Sequence, residues 1–423
     1  MISTFFPRRK KAPTALIAWE IGAGFTHSQN LWGVVRHLRY MGFRCVVATA
    51  DPRFEIWFRA LGTDVVQTFL WPVMRSNAAM PEQRPARVLT DVLANYGVTR
   101  PIDLKGAMAH YETLFSLVKP DVVLAENGFG IVLAARGRYP VVIFGSTLLF
   151  MPPALGHSFA PIDPSDPTAS WPVEMVLDDI NSALAASARM PLTCASEILD
   201  CDALVPFGPA PFDPYSRYRT SPIYSPHCPD LPREVARTTG DEVAVYLHDL
   251  AQMSVELMDV IANLASPVRI YIPTLNPALR SRFLAAGHIV EDRMMPLRLV
   301  AERARLLVHQ GGVTLTAAAL ALGIPQVILA RFHENGLAGQ FVSDARLGYT
   351  NRLDAEGDWI SETVMHARND NELRNRARRR MPEFRSWFSE DPTGIVAIKA
   401  ARLLGLSATV APQLLDPHQW SPI

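Results

Sequence analysis

The sequence predicts an α/β protein built from two parallel sheets, each flanked by helices. Three observations carry that expectation. Short Val/Ile/Leu-rich runs alternate with segments of helical periodicity along most of the chain. A stretch crowded with prolines, Phe207 to Gly240, interrupts the alternation near the middle. The length, 423 residues, exceeds what one ordinary core supports, so two domains of about 200 residues each are expected.

The elements follow in order. "ALIAWEIG" is continuously apolar, as a strand buried on both faces must be. "HSQNLWGVVRHLRYMG" places Leu31, Val34, Val35 and Leu38 on one helical face and stops at Gly42. "FRCVVATAD", "KPDVVLAENG" and "YPVVIFGS" read as further strands. A basic tail, residues 1–14, thus precedes a first unit over 15–206, and 207–240 has the composition of a linker. A second unit over 241–384 holds the strand candidates "EVAVYLHDL", "VRIYIP", "GHIVED", "ARLLVHQGG" and "PQVILA". Residues 385–423 close with the helical pattern "GIVAIKAARLLG". Two such sheets facing one another leave a cleft, and open α/β sheets bind ligands beyond the carboxyl ends of their strands.

Composition narrows the partners. The net charge is zero, which gives no global field to draw nucleic acid or an anionic membrane. Cys45, Cys194, Cys201 and Cys228 form no CxxC pair, so neither a zinc ribbon nor a disulfide framework is indicated, and a reducing, cytoplasmic setting is expected. The basic "MISTFFPRRKKAPT" is followed by too short an apolar run for a signal peptide, and no apolar run reaches the ~18 residues of a membrane span. Phe5, Phe6 and Arg8 to Lys11 offer at most weak membrane-surface contact; a solvated tail is the simpler reading.

The densest local signal is "VHQGGVTLTAAALALGIPQVIL", Val308 to Leu329. A strand ends at His309, the turn runs to Val313, and a helix is expected from Thr314. Gly311 and Gly312 let backbone approach a ligand, and the amides opening the helix favour an anion; Thr314 and Thr316 can add hydroxyls. This is neither GxGxxG nor GxxxxGK[ST], and on the motif alone tight packing is the better explanation of such glycines.

From Leu306 to Gly348 the chain resembles the donor segment of GT-B glycosyltransferases of the UDP-glycosyltransferase superfamily. Bacterial members read H-x-G-G-x-x-T-x-x-x-A-L-x-x-G-x-P-Q; this chain keeps the glycines, the G-x-P-Q and a trailing Leu-Gly. Where many relatives carry a second histidine before the glycines it has Gln310, so the resemblance assigns phosphate contact to Gln310, His309 or the backbone of Gly311, Gly312, Val313 and Thr314. Leu315 replaces a threonine, Ala317 stands where plant relatives hold a ribose-binding glutamate, and the sugar-contacting acid–amide pair becomes Glu334-Asn335. The implied fold is GT-B, two Rossmann-like domains facing across a cleft, the terminal helix crossing back to the first.

"EIGAGFTHSQNLW" resembles the superfamily's amino-terminal G-x-G-H-x-x-P turn, which makes His27 the candidate base. The carboxylate that orients such a histidine corresponds to Glu126, after "PDVVLA". The implied activity is metal-independent, inverting hexosyl transfer from a UDP- or dTDP-sugar to a small-molecule acceptor, with the nucleotide sugar as co-substrate and no cofactor. A GT-B nucleotide-sugar epimerase, or a non-catalytic nucleotide-sugar-binding partner protein, would share the fold.

Three other features read more simply. Asp200-Cys201-Asp202 mimics a metal-binding D-x-D but lies just before the proline-rich stretch, and no HExxH occurs, so no metal is expected. "GHSFAPIDPSDP" is a long loop that, by resemblance to the superfamily, helps form the acceptor pocket with Phe150, Trp171 and Met175 near it; a loop packed on its own core explains these residues nearly as well. "RNRARRR", Arg374 to Arg380, is a solvated helix face without the aromatic interleaving of a single-strand binder.

Overall fold

The computed structural model describes residues 12–22, 25–74, 84–234, 240–248, 255–331 and 333–410. The first eleven residues, with most of the basic tail, lie outside this set. The described residues up to Gly145, with Phe150–Pro206 and those from Thr393 onward, form one compact unit; Ser146–Leu149 and Phe207–Pro392 form the other.

The first unit holds β1 (Thr14–Trp19), β2 (Arg44–Thr49), β3 (Asp64–Gln67), β4 (Val122–Glu126), β5 (Val141–Gly145), a short hairpin of β6 (Ala154–Leu155) and β7 (Ser158–Phe159), and β8 (Ala203–Pro206). Its main sheet runs β3-β2-β1-β4-β5-β8, all parallel. The second unit holds β9 (Glu242–Tyr246), β10 (Val268–Tyr271), β11 (Ile289–Val290), β12 (Ala304–His309), β13 (Gln326–Ala330) and β14 (Gly348–Arg352), in the order β11-β10-β9-β12-β13-β14 and again parallel. In both sheets the chain builds outward to one side, returns, and builds to the other. The reversal lies between β1 and β4 in one and between β9 and β12 in the other, and such a reversal leaves a crevice at the strand ends.

The central strands of the first sheet are the most apolar ones, broken only by Thr14 at the start of β1 and Glu126 at the end of β4. Every residue of β1, β4 and β5 is buried, as helices on both faces require. Each buried Val, Leu or Ile side chain contributes about 1.5–3 kcal/mol. The edge strands β3 and β14 are half-exposed and polar, DVVQ and GYTNR, and their sequences carry no matching signal.

The proline-rich stretch is not a free linker where it is described. Phe207, Phe212 and Tyr215 are buried, and Phe212 meets the rings of Phe341 at 5.4 Å and Trp387 at 5.8 Å. Asp213 and Arg219 form an ion pair, Nε to Oδ2 2.6 Å, with both side chains almost wholly buried. Such a pair must be matched in place, because removing either partner strands a buried charge. At the other end, the helix Pro392–Leu403 buries Val396, Ala397, Ala400 and Ala401. Its residues from Thr393 belong to the first unit. Among the described residues no helix is long and apolar enough to cross a membrane, and all four cysteines are free thiols.

Candidate active site

In the first unit the reversal brings Trp19 of β1 opposite Glu126 of β4. His27 stands on the first turn of the helix Phe25–Tyr40, which follows β1. Its Nδ1 donates to the carboxylate of Glu126, 2.8 Å from Oε1 and 2.9 Å from Oε2. Glu126 is fully buried, whereas the His27 side chain remains 13% exposed. Asn30, almost one helical turn further, donates its Nδ2 to Glu126 Oε1 at 3.3 Å. The imidazole stacks on the Trp19 ring, centroids 5.0 Å apart and planes 23° from parallel. Ring and carboxylate are therefore held in one orientation.

A donating Nδ1 leaves the lone pair of the neutral ring on Nε2, so Nε2 is the basic nitrogen. It lies against Gly22. A Cβ at that position would stand 2.6 Å from His27 Nε2, and the glycine's φ of +107° is one that side-chain-bearing residues rarely adopt. Gly22 thus shapes the turn and places no side chain against Nε2.

In the second unit the corresponding reversal holds the glycine turn. The helix begins at Val313, one residue earlier than the sequence suggests, and runs to Ala321 with no side-chain cap from Gly312. The amides opening its first turn have no partner within the helix itself. His309 does not face a ligand: it is fully buried, its Nε2 donates to Gln326 Oε1 at 2.9 Å, and its Nδ1 accepts from Gly311 N at 3.2 Å. Burial pulls its pKa down to about 4, so it stays neutral at physiological pH. Of the expected phosphate contacts, His309 is thereby corrected to a framework role. Thr316 is corrected likewise, since its hydroxyl donates to Gly312 O at 2.9 Å.

Gln310 is arranged differently. Its Oε1 accepts from the His248 backbone N–H at 3.0 Å, at the end of the neighbouring β9. That bond fixes which end of the carboxamide is oxygen and leaves Nε2 as a buried donor without a partner among the described residues. Thr314 Oγ1 is a second such group. Asn335 donates its Nδ2 to Gly311 O at 3.2 Å, clamping the turn, and Glu334 precedes it in the helix His333–Asp344. Gly311 fits here because a Cβ would approach Ile328 to 2.8 Å and Asn335 O to 2.9 Å.

Asp202 accepts from Val141 N at 2.8 Å and Asp200 pairs with Arg136 at 3.6 Å, while burial pushes the Cys201 thiol up to about 11. Asp202 thus ties the start of β8 to the start of β5. Among the described residues, no group of three or more His, Cys, Asp or Glu side chains is placed to hold a metal ion. A small apolar pocket in the first unit is lined by Asn127, Phe129, Val132, Phe150 and Met151 among others. Trp171 instead carries the Arg84 guanidinium over its ring at 4.0 Å, and Met175 stands 40% exposed. The basic run is largely paired: Arg379 with Glu372 at 2.6 Å and Arg380 with Glu383 at 2.8 Å.

Sequence reasoning missed Trp19, Asn30 and the His248 amide. Asn30 had a signal, three residues beyond His27 on the same helical face. Trp19 and His248 act through strand register, which is set only when the sheet forms.

No protein-family model matches the sequence, and no curated protein does. Solved structures do. CalG4, the calicheamicin glycosyltransferase, is 19% identical, with a TM-score of 0.64 over 93% of this chain and 99% of its own. The spinosyn rhamnosyltransferase SpnG is 15% identical, with a TM-score of 0.58 over 92% and 99% of the two chains. The glycosyltransferase VinC, solved in complex with dTDP, is 15% identical, with a TM-score of 0.56 over 92% of this chain and all 100% of that one. Two six-stranded parallel sheets of Rossmann type, in a chain that matches these structures almost end to end, make this a protein of the GT-B fold.

Proposed function

We propose that the chain transfers a sugar from a UDP- or dTDP-sugar to a hydroxyl of a small-molecule acceptor, with inversion at the anomeric carbon. The observation that carries this reading is the His27–Glu126 pair at the strand reversal, with Nε2 lying against a position that bears no side chain. His27 Nε2 takes the acceptor's proton as the oxygen forms its bond to the anomeric carbon. The bond from that carbon to the diphosphate breaks, and its electron pair leaves with the nucleoside diphosphate. Glu126 stabilises the imidazolium that results.

The leaving charge is met by the amides opening the helix Val313–Ala321, by Gln310 Nε2 and by Thr314 Oγ1, with Glu334 accepting from sugar hydroxyls. Preorganised neutral donors serve where other transferases use a cation, so the proposed reaction proceeds in the presence of EDTA. The similarity to transferases of natural products, one of them solved with dTDP, supports this donor class, and hexosyl transfer is the form proposed.

The test is a panel of UDP-, dTDP- and GDP-sugars read by thermal shift, followed by transfer assays with acceptors. A raised melting temperature with at least one of them is expected, and a chain that none stabilises refutes the donor site. His27→Ala should then lower kcat by about 10²–10⁴-fold with nucleotide binding intact. Unchanged turnover in that variant would remove His27 from the mechanism.

A further inference from the structure

Glu20 lies one residue beyond β1, fully buried, and the mechanism above gives it nothing to do. Its Oε2 accepts from Gly130 N at 2.9 Å and from Trp71 Nε1 at 2.8 Å, and its Oε1 accepts from Ile131 N at 2.7 Å. The Tyr111 hydroxyl also hydrogen-bonds the carboxylate and sits 2.6 Å from Thr68 Oγ1. Four donors around one buried carboxylate are a costly arrangement to assemble by chance, because an unmatched group there is penalised by its full desolvation. Burial pushes the Glu20 carboxyl above its ordinary range, while the bonds from Ile131, Tyr111, Gly130 and Trp71 pull the other way.

The placement of these bonds is informative. Gly130 and Ile131 belong to the helix Phe129–Ala135, which begins three residues after Glu126. Glu20 comes three positions after Ile17, whose register partner is Leu124, and one after Trp19, the partner of Glu126. The carboxylate therefore ties the exit of β1 to the segment that leaves β4. A second tie runs parallel to it: Asn127, held at φ +46°, donates its Nδ2 to Ile21 O at 3.3 Å, the carbonyl that also receives Trp19 Nε1 at 2.9 Å. Gly130 makes the approach feasible, since a Cβ there would meet Trp71 at 3.0 Å and Glu20 Oε2 at 3.2 Å. On one side of these ties are Trp19 and Gly22, which touch the His27 ring; on the other is Glu126, which binds it.

We propose that Glu20 is a positioning residue: its buried carboxylate locks the ends of β1 and β4 together and so sets the geometry of the His27–Glu126 pair. The inference rests on the assignment of His27 as base, but its readout does not need activity. A loosened pair gives the imidazolium less stabilisation, so its titration midpoint must fall.

The experiment follows the His27 imidazole by NMR as a function of pH in the full chain. Glu20→Gln keeps the volume but turns an NH2 group toward N–H donors. It should lower the His27 midpoint by about one pH unit, the order of a neighbouring carboxylate's effect. Trp71→Phe removes one donor and keeps the Glu20 side chain itself, so a smaller fall in the same direction separates loosened geometry from replacement of the carboxyl group. A His27 midpoint unmoved in both variants, with only the melting temperature reduced, overturns the proposal. If Glu20→Gln fails to fold, Trp71→Phe decides by the same two outcomes. Failure of every nucleotide sugar to bind the wild type would refute the transferase reading, and it would not move this titration.

Discussion

At the reversal between β1 and β4 a histidine is bonded to a glutamate; at the reversal between β9 and β12 a histidine is bonded to a glutamine. Strand order and direction are the same in the two sheets, and each histidine has a ring nitrogen within 3 Å of its partner's oxygen. The chemistry differs because of the partner. Glu126 can compensate a proton on His27, whose side chain remains 13% exposed. Gln326 offers no charge, His309 is sealed from solvent, and its pKa of about 4 keeps it neutral. One arrangement suits proton transfer; the other suits a rigid wall behind the glycine turn.

The sharpest way to break the contrast is Glu126→Gln, which turns the first pair into a copy of the second. Transfer should fall by about 10³–10⁴-fold, the order seen when the orienting carboxylate of a histidine base is neutralised, with the affinity for the nucleotide sugar unchanged. Steady-state kinetics beside calorimetric titration would check both halves; a loss below tenfold would mean that the carboxylate is structural.

In the second unit, Gln310→Glu keeps an oxygen for the His248 amide and replaces the buried donor by an anion. Affinity for a nucleoside diphosphate should drop by at least about 10–100-fold, the value of a hydrogen bond to a charged group. Binding of the corresponding nucleoside, which has no phosphate, should be unaffected. Equal losses for both ligands would show that the turn had collapsed and that the glutamine does not read phosphate.

The smallest expected effect concerns stability. His309 has a folded pKa of about 4 against an ordinary value of 6.5, so the unfolded chain takes up its proton first as pH falls. Its contribution is fully present above pH 6.5 and is lost progressively toward pH 4. The slope from this one group is at most about 1.4 kcal/mol per pH unit. Urea unfolding at pH 7, 6 and 5 should show a shallower dependence in His309→Gln than in the wild type, and parallel curves would contradict the assignment.

The two sheets behind this contrast are legible in the sequence, the contrast itself only in part. The central strands announced themselves as runs such as "ALIAW" and "VVLA", because burial on both faces disfavours polar residues that lack a partner. The edge strands β3 and β14 did not, because half-exposed strands need no such run. His27 and Glu126 were marked by the resemblance of their segments to the superfamily's, and only the fold shows that their side chains meet. What the sequence could not reveal was direction: that His309 turns inward, that Thr316 bonds back to its own helix, and that Gly22 matters for the space beside a nitrogen. Those are properties of side-chain geometry across register, and a linear order of residues does not contain them.

The proline-rich stretch carries a practical consequence. Anyone cutting the gene to obtain the second sheet alone would be led by composition to begin at Asp241. That fragment would leave behind Phe212 and uncover the rings of Phe341 and Trp387 against which it lies. It would also discard Asp213 and Arg219 together. Beginning at Phe207 retains both, so the sensible scissor point falls ahead of the prolines.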